Sequence, residues 1–237
     1  MAGPGLTGDG AGRVSRRPTG SRPAFVGRMV AHLVAALPVG HLAVDAISGH
    51  LGVNPIQEVT VRTGTAALAC LVASLAVTPV SGIGRQRWAA PSRRPLGLWA
   101  FAYAAMHLAT FVVLDYGLDW AQIWRVVIEK RFVIAGFTAF LAMAPLAATS
   151  TRGWQRRLGR WWRRLHWLAY VAAGAAVIHF IWLVKADLRE PMAWAAGLAA
   201  LLAMRVPPVR RRVAAVADRV VRWSGAVRQA RGSSRYR

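Results

Sequence analysis

The stretches LHWLAYVAAGAAVIHFIWLV (residues 165–184) and LGLWAFAYAAMHLATFVVL (residues 96–114) decide the fold of this chain. Each is an almost unbroken apolar run of about 20 residues, the length an α-helix needs to cross the hydrocarbon core of a bilayer. Both runs nevertheless contain histidine: His166 and His179 in the first and His107 in the second. Histidine is costly in lipid, so such residues usually face the interior of a helix bundle and serve a function there.

The composition of the whole chain is that of a helical membrane protein. Its 237 residues are 55% hydrophobic, yet they carry a formal net charge of +22. The charges lie between and after the apolar runs, as in membrane proteins with basic loops. A basic chain can also bind nucleic acid, but these arginines follow the loops, so no nucleic-acid partner is expected. The single cysteine, Cys70, excludes an intrachain disulfide and a four-cysteine metal site.

Six membrane helices are predicted, at 25–45, 64–83, 96–114, 132–150, 165–184 and 190–206. We therefore predict an all-α membrane protein with a six-helix transmembrane bundle over residues 24–206. Residues 1–23 are rich in Gly, Pro, Ser and Arg and are predicted to form a disordered basic tail. Residues 207–237 are predicted to be a basic cytoplasmic tail, either solvated or an interfacial helix on anionic lipid. Arg205, at the end of the sixth helix, is expected to snorkel towards the interface.

The distribution of charge orients the predicted bundle. If the N-terminus is cytoplasmic, 25 of the 31 Lys and Arg residues fall in cytoplasmic segments. Seven of the nine acidic residues then fall on the opposite side. This arrangement satisfies the positive-inside rule at every loop, so both termini are predicted to be cytoplasmic.

The same topology places His107 and His179 at one depth in the membrane and His166 at another. At about 1.5 Å per residue, His107 and His179 lie roughly 17 and 21 Å from the inner ends of parallel helices. Similar depth on parallel helices is the geometry in which two imidazoles could bind one haem iron from opposite sides. His166 lies roughly 20 Å below His179. It is either a ligand of a second haem, with His32 as the candidate partner, or a residue near haem propionates.

Arginines cluster at the inner ends of the third and fifth helices, in SRR (92–94) and RRLGRWWRRLH (156–166). They can neutralise haem propionates, a flavin phosphate or lipid phosphates. Anchoring of the topology is the simpler explanation, because it needs no ligand. In the same way, each membrane histidine has the alternative of being a hydrogen-bonded structural residue.

Three segments of the chain resemble the MsrQ/YedZ family, the haem-binding membrane subunit of the protein-methionine-sulfoxide reductase system. They are NPIQEVTVRTGTAAL (54–68), RRPLGLWAFAYAAMHLATF (93–111) and TSTRGWQRRLGRWWRRLHWLAYVAAGAAVIHFIWLVK (149–185). The similarity extends over residues 29–206 in long ungapped segments. This family is part of the wider ferric-reductase-like transmembrane group, which includes NADPH oxidases.

The resemblance implies a haem b electron-transfer subunit of the bacterial inner membrane, with one haem or two and with FMN as a further cofactor. Electrons would come from the quinone pool and pass to a periplasmic molybdopterin enzyme, MsrP, which reduces methionine sulfoxide in oxidised periplasmic proteins. The resemblance also implies that His107, His166 and His179 are the residues associated with haem. The chain would then carry electrons for an oxidoreductase system without being its catalytic subunit.

One loop departs from the family pattern. The family often has His-Phe-Thr-Gly-Arg-Thr where this chain has VRTGTA at residues 61–66. Val61 stands in place of the histidine and Thr65 in place of the arginine, and Arg62 is the candidate to supply the lost charge. If this loop handles quinone or docks the partner, its chemistry differs here.

Two other functions are compatible with the same residues. The first is a quinone-linked ferric-reductase-like cytochrome that delivers electrons to another acceptor. The second is a non-redox membrane transporter or scaffold whose histidines are structural. A visible spectrum separates the two cytochrome functions from the non-redox one, because only a haem protein has reducible Soret and α bands.

Overall fold

The structure, a computed structural model, describes residues 21–83 and 89–213 together with residues 215, 216 and 219, and every regular element within them is helical. In chain order the helices are α1 (Ser21–Ile47), α2 (Pro55–Ile83), α3 (Arg93–Ala109), α4 (Trp120–Glu129), α5 (Arg131–Ala148), α6 (Arg152–Leu158), α7 (Arg160–Leu165), α8 (Leu168–Leu183) and α9 (Arg189–Ala203). A 3-10 turn, Ala90–Ser92, precedes α3, and a π-helical segment, Thr110–Asp115, extends it.

Five segments of the described chain are long and apolar enough to cross a membrane. They are Ala24–Ile47, Pro55–Gly82, Ala90–Asp115, Arg131–Ala148 and Arg160–Leu183. A sixth span is present only if α9 is counted together with the helical segment Pro207–Val213, and these two are bent by 95°. The predicted all-helical transmembrane bundle is therefore confirmed, while the orientation of its termini stays a prediction. The predicted tails lie outside the described residues up to residue 20 and after residue 219.

Helix α2 begins at Pro55 rather than at the predicted residue 64. Asn54 sets this start, because its side-chain oxygen accepts a hydrogen bond from the backbone N–H of Gln57 at 3.1 Å. This is an N-cap interaction, and proline at the first helical position favours the same start. Glu58 and Arg62 lower the hydropathy of these first turns, so a prediction based on hydropathy places the start of the helix too late.

Helix α4 lies in a segment for which the sequence predicted no element. Asp119 caps it with a side-chain hydrogen bond. Ile123 is buried against the bundle, whereas Trp120, Trp124 and Ile128, each four residues from the next, are exposed. An apolar stripe on a short helix beside a membrane span is typical of a helix that lies in the bilayer interface.

The bundle is built from two helix pairs, because α2 packs chiefly against α3 and α5 chiefly against α8. The most deeply buried residues at its centre are small: Ala100, Ala172 and Ala173 have no exposed surface. Small residues let membrane helices approach closely. Close packing of this kind fixes the level of the side chains on one helix of a pair relative to those on the other.

Tyr103 supports helix α1 at its internal proline. Pro38 lies inside α1, and an internal proline disturbs the hydrogen-bond ladder of a helix around its position. The hydroxyl of Tyr103 donates to the carbonyl of Ala35 at 2.6 Å and accepts from the N–H of Val39 at 3.0 Å. The side chain is 1% exposed, so this bridge between α1 and α3 lies in the core.

We expect Tyr103→Phe to destabilise the protein by about 1–3 kcal/mol, since it leaves a buried N–H and a buried carbonyl without a partner. In a Pro38→Ala background the loss should be smaller, because the N–H of Val39 can then bond to Ala35 within the helix. Unfolding of the unchanged protein, the two single variants and the double variant in detergent measures the difference. An equal cost in both backgrounds would contradict this role of Tyr103.

Arg205 turns into the bundle. It donates to the carbonyl of Leu75 at 2.7 Å and to the hydroxyl of Tyr170, and its guanidinium carbon lies 5.0 Å from the centre of the Tyr170 ring. The expected snorkelling of Arg205 is therefore wrong, because acceptors on α2 and α8 hold the side chain inside. This arginine ties the end of α9 to the rest of the bundle.

The two ends of the bundle differ in charge. Arg28, Arg93, Arg94 and Arg152 surround one cavity, and we call this the basic end. At the other end, Arg62 forms salt bridges with Asp45 and Glu58, and Asp115 terminates the π-helical extension of α3. We call this the acidic end. The described residues thus show the separation of charge that underlies the predicted orientation.

Candidate functional site

A cavity of about 360 Å³ lies between α2, α3, α5 and α8 near the acidic end. We call it the histidine cavity, because His107 on α3 and His179 on α8 both line it. The remaining wall is mainly apolar and includes Leu68, Leu108, Phe111, Phe137 and Phe140. The two histidines that were paired by their predicted depth are thus brought to one site.

The two imidazole rings face the same space at a short distance. Their centroids are 6.1 Å apart and their planes are inclined by 87°. Nδ1 of His107 bonds to the carbonyl of Thr60 at 2.8 Å, and Nδ1 of His179 to the carbonyl of Phe132 at 2.6 Å. Because a carbonyl only accepts, each Nδ1 carries the hydrogen and each Nε2 keeps a lone pair. Histidines that bind a metal are commonly held in this way.

A second cavity, of about 390 Å³, lies at the basic end. We call it the arginine cavity, because Arg28, Arg93, Arg94 and Arg152 line it; none of its described lining residues is acidic. His166 and Trp162 also line it. Cavities with several arginines suit anions, since charge-assisted hydrogen bonds from guanidinium groups are strong.

Trp162 adds an unused donor to the arginine cavity. Its indole Nε1 is buried and has no hydrogen-bond partner among the described residues. Buried donors normally have partners, so this N–H is available to an acceptor. A ligand with acceptor oxygens would satisfy both this N–H and the arginines.

His166 is placed differently from the other two histidines. Its ring stacks on Trp162 with 3.7 Å between centroids, and its Nδ1 donates to the carbonyl of the same residue at 3.0 Å. His32, its candidate partner, accepts a hydrogen bond at Nδ1 from the indole of Trp99 at 3.0 Å. A neutral His32 therefore carries its hydrogen on Nε2, which cannot then bind a metal. His32 therefore has no free ring nitrogen with which to bind a metal opposite His166.

The two cavities are close neighbours. Leu71 and Met143 line both of them, and both side chains are buried. One layer of apolar side chains therefore separates a group in the histidine cavity from a group in the arginine cavity. Among the described residues there is no cluster of three or more His, Cys, Asp or Glu that could hold a bare metal ion.

Residues 61–66, the segment that departs from the family pattern, lie beside the histidine cavity. Val61 lines this cavity, so an apolar side chain stands where the family often has histidine. Arg62 is engaged by Asp45 and Glu58 and links α1 to α2. The candidate replacement charge is therefore neutralised by two carboxylates.

Sequence reasoning missed two glycines of the site. Gly64 on α2 and Gly136 on α5 both line the histidine cavity and lie against the rings of His107 and His179. The sequence does carry a signal, since each glycine precedes its histidine by the same number of residues. This spacing becomes meaningful only when the pairing of the helices is known.

Membrane-spanning helices that place two imidazoles in one apolar cavity define this chain as a membrane protein with a paired-histidine site. The match to a protein family agrees, since that family is a transmembrane component. Residues 63–178 match the family described as ferric reductase like transmembrane component. No solved structure matches this chain.

Individual relatives narrow the class to one family. A protein of Xanthomonas axonopodis pv. citri (strain 306) is 46% identical over 159 residues, which cover 67% of this chain and 73% of the relative. A protein of Rhodospirillum rubrum is 41% identical over 189 residues, which cover 79% of this chain and 91% of the relative. Both relatives are named protein-methionine-sulfoxide reductase heme-binding subunit MsrQ. This chain belongs to the MsrQ family.

Proposed function

We propose that this chain is a membrane haem protein that carries electrons for a methionine-sulfoxide reductase system. The observation that carries the proposal is the pair His107 and His179, which share one apolar cavity with 6.1 Å between ring centroids. The names of the relatives agree with it, since they describe heme-binding subunits.

The separation of His107 and His179 supports the proposal that both bind one haem iron. First-row metals lie about 2 Å from an imidazole nitrogen, so two rings that bind one metal from opposite sides have centroids about 6–6.5 Å apart. The observed separation of 6.1 Å is in this range. His107 and His179 would hold the haem through their Nε2 atoms, and the haem would supply one-electron chemistry. This chain would then be the electron-carrying subunit and not the catalytic one.

We propose that the arginine cavity binds an anionic group, either the propionates of the haem or the phosphate of FMN. Arg93, Arg94 and the unpartnered Nε1 of Trp162 are the proposed donors. His166 would contact this group and would not hold a second iron, because no prepared imidazole faces it. A second haem bound through His166 is the alternative.

We propose the following direction of transfer. Electrons from the quinone pool enter near the basic end and leave near the acidic end. The acceptor is a periplasmic molybdopterin enzyme of the MsrP type, which reduces methionine sulfoxide in oxidised proteins. The chain would lie in the bacterial inner membrane with both termini in the cytoplasm, as the positive-inside rule supports.

Reconstitution with an MsrP-type partner tests the proposal. The protein is purified from haem-replete membranes, reduced, and mixed with the partner and a protein that contains methionine sulfoxide. We expect the reduced haem bands to decay only when partner and substrate are both present. A bound haem that no such partner reoxidises would favour a cytochrome with another acceptor. Absence of reducible Soret and α bands would instead favour a non-redox membrane protein.

A further inference from the structure

The two helix pairs hold their histidines in the same way. In the pair α2–α3, His107 bonds to the carbonyl of Thr60, and in the pair α5–α8, His179 bonds to the carbonyl of Phe132. Histidine and carbonyl are 47 residues apart in both cases. In both pairs a glycine, Gly64 or Gly136, lies four residues after the residue that supplies the carbonyl.

The geometry of the α-helix explains why glycine occupies this position. The carbonyl of residue i points towards residue i+4, whose N–H it accepts. A side chain at i+4 therefore lies beside that carbonyl, which is why serine and threonine there can bond back to it. Only glycine leaves the carbonyl open to a ring from a neighbouring helix.

The available space agrees with this reasoning. A Cβ atom on Gly64 would lie 3.0 Å from Nδ1 and 3.1 Å from Cε1 of His107. A Cβ atom on Gly136 would lie 2.8 Å from Nδ1 and 3.0 Å from Cε1 of His179. Carbon atoms in contact normally lie about 3.5–4.0 Å apart. Alanine at either position would thus push the imidazole away from its carbonyl.

We propose that Gly64 and Gly136 are positioning residues for His107 and His179, in an arrangement repeated in the pairs α2–α3 and α5–α8. This inference rests on the proposed function of the histidine cavity. Each glycine admits the imidazole to one carbonyl, and that bond fixes the tautomer and the rotation of the ring. Together the two bonds hold the ring planes nearly perpendicular, at 87°.

The variants Gly64→Ala and Gly136→Ala test the proposal, with Gly174→Ala as the matched control. Gly174 lies on α8, lines neither cavity and would place its Cβ within 4 Å of nothing. Loss of a hydrogen-bonded partner of a metal-binding histidine typically weakens metal binding about 10–100-fold. We expect haem affinity to fall by this factor in the two variants and to be unchanged in Gly174→Ala. The effect should be larger for Gly136→Ala, where the clash is closer.

Electron paramagnetic resonance of the ferric haem adds a readout that a merely structural role would not move. Nearly perpendicular imidazole planes give a highly anisotropic low-spin signal. We expect this signal in the unchanged protein and in Gly174→Ala, and an altered low-spin or a high-spin signal in the other two. Gly64→Ala, with the milder clash, serves if Gly136→Ala does not fold. Folded Gly64→Ala with unchanged haem affinity and an unchanged signal would overturn the inference.

Nitrogen-15 spectra of the imidazoles in haem-free protein separate this inference from the proposed function. We expect His107 and His179 to carry their hydrogen on Nδ1, and each Gly→Ala variant to disturb its own histidine. If this pattern is found but haem does not bind, the positioning role stands and the proposed function fails. If haem binds and the glycine variants leave both imidazoles unchanged, the function stands and the positioning role fails.

Discussion

Alanine at His107 or at His179 is expected to abolish haem binding in the histidine cavity. Each imidazole is held with its Nε2 lone pair free, and the ring separation of 6.1 Å matches two ligands on one iron. Loss of a partner that only orients such a ligand typically costs about 10–100-fold in affinity. Loss of the ligand itself should therefore cost more than about 100-fold. Absorbance of the Soret and α bands per mole of purified protein measures the result.

The exposed histidines of the chain provide the control for this prediction. His50 is exposed and lines neither cavity, so His50→Ala should retain the full spectrum. Circular dichroism must show that the His107 and His179 variants remain helical, since a collapsed bundle would also lose haem. A helical His107→Ala or His179→Ala protein with the full spectrum would refute the pairing of these ligands.

That His107 and His179 lie near each other was predictable, because the depth of a residue in a membrane follows from counting along its helix. A helix rises about 1.5 Å per residue, and apolar runs fix where each helix enters the bilayer. The count tolerates small shifts of the helix ends. Helix α3 begins at Arg93 and α8 at Leu168, rather than at residues 96 and 165, and the two histidines still differ in depth by less than about one helical turn. The count gives no information about rotation, so it did not show which groups contact each ring.

The features that the sequence did not predict depend on rotation and on contacts between helices. Gly64 and Gly136 matter only because α2 lies against α3 and α5 against α8. Arg205 was expected to snorkel towards the interface. The carbonyl of Leu75, which accepts its hydrogen bond, is 130 residues away in the sequence, so the sequence did not identify this acceptor. Helix α4 was missed because it has only 10 residues and because Gln122, Arg125 and Glu129 lower its hydropathy.

The arginine cavity also shows where sequence reasoning leaves a choice open. Topology alone accounts for basic residues at this end of the bundle, so their number does not imply a ligand. The structure adds two observations, namely a cavity of about 390 Å³ between the arginines and the unpartnered Nε1 of Trp162. Anchoring of the topology requires neither of them.

The double variant Arg93→Gln, Arg94→Gln is therefore expected to lose the anionic group of the arginine cavity. A hydrogen bond to a charged group contributes about 1.5–3 kcal/mol. Removal of two such bonds should weaken binding by roughly 10²–10⁴-fold. Flavin and haem released per mole of protein measure the loss. Flavin should fall if the group is FMN, whereas haem retention should fall if the arginines hold the propionates.

His166→Ala and a second arginine pair complete this experiment. Arg156 and Arg157 lie on α6 and line neither cavity, so Arg156→Gln, Arg157→Gln removes the same charge without touching the site and should retain both groups. We expect His166→Ala to keep the full haem content, because this ring faces no prepared second imidazole. Loss of half the haem in His166→Ala would instead identify His166 as the ligand of a second haem. Equal behaviour of the two arginine pairs would mean that Arg93 and Arg94 only anchor the topology, since charge removed inside the cavity and charge removed outside it would then have the same effect.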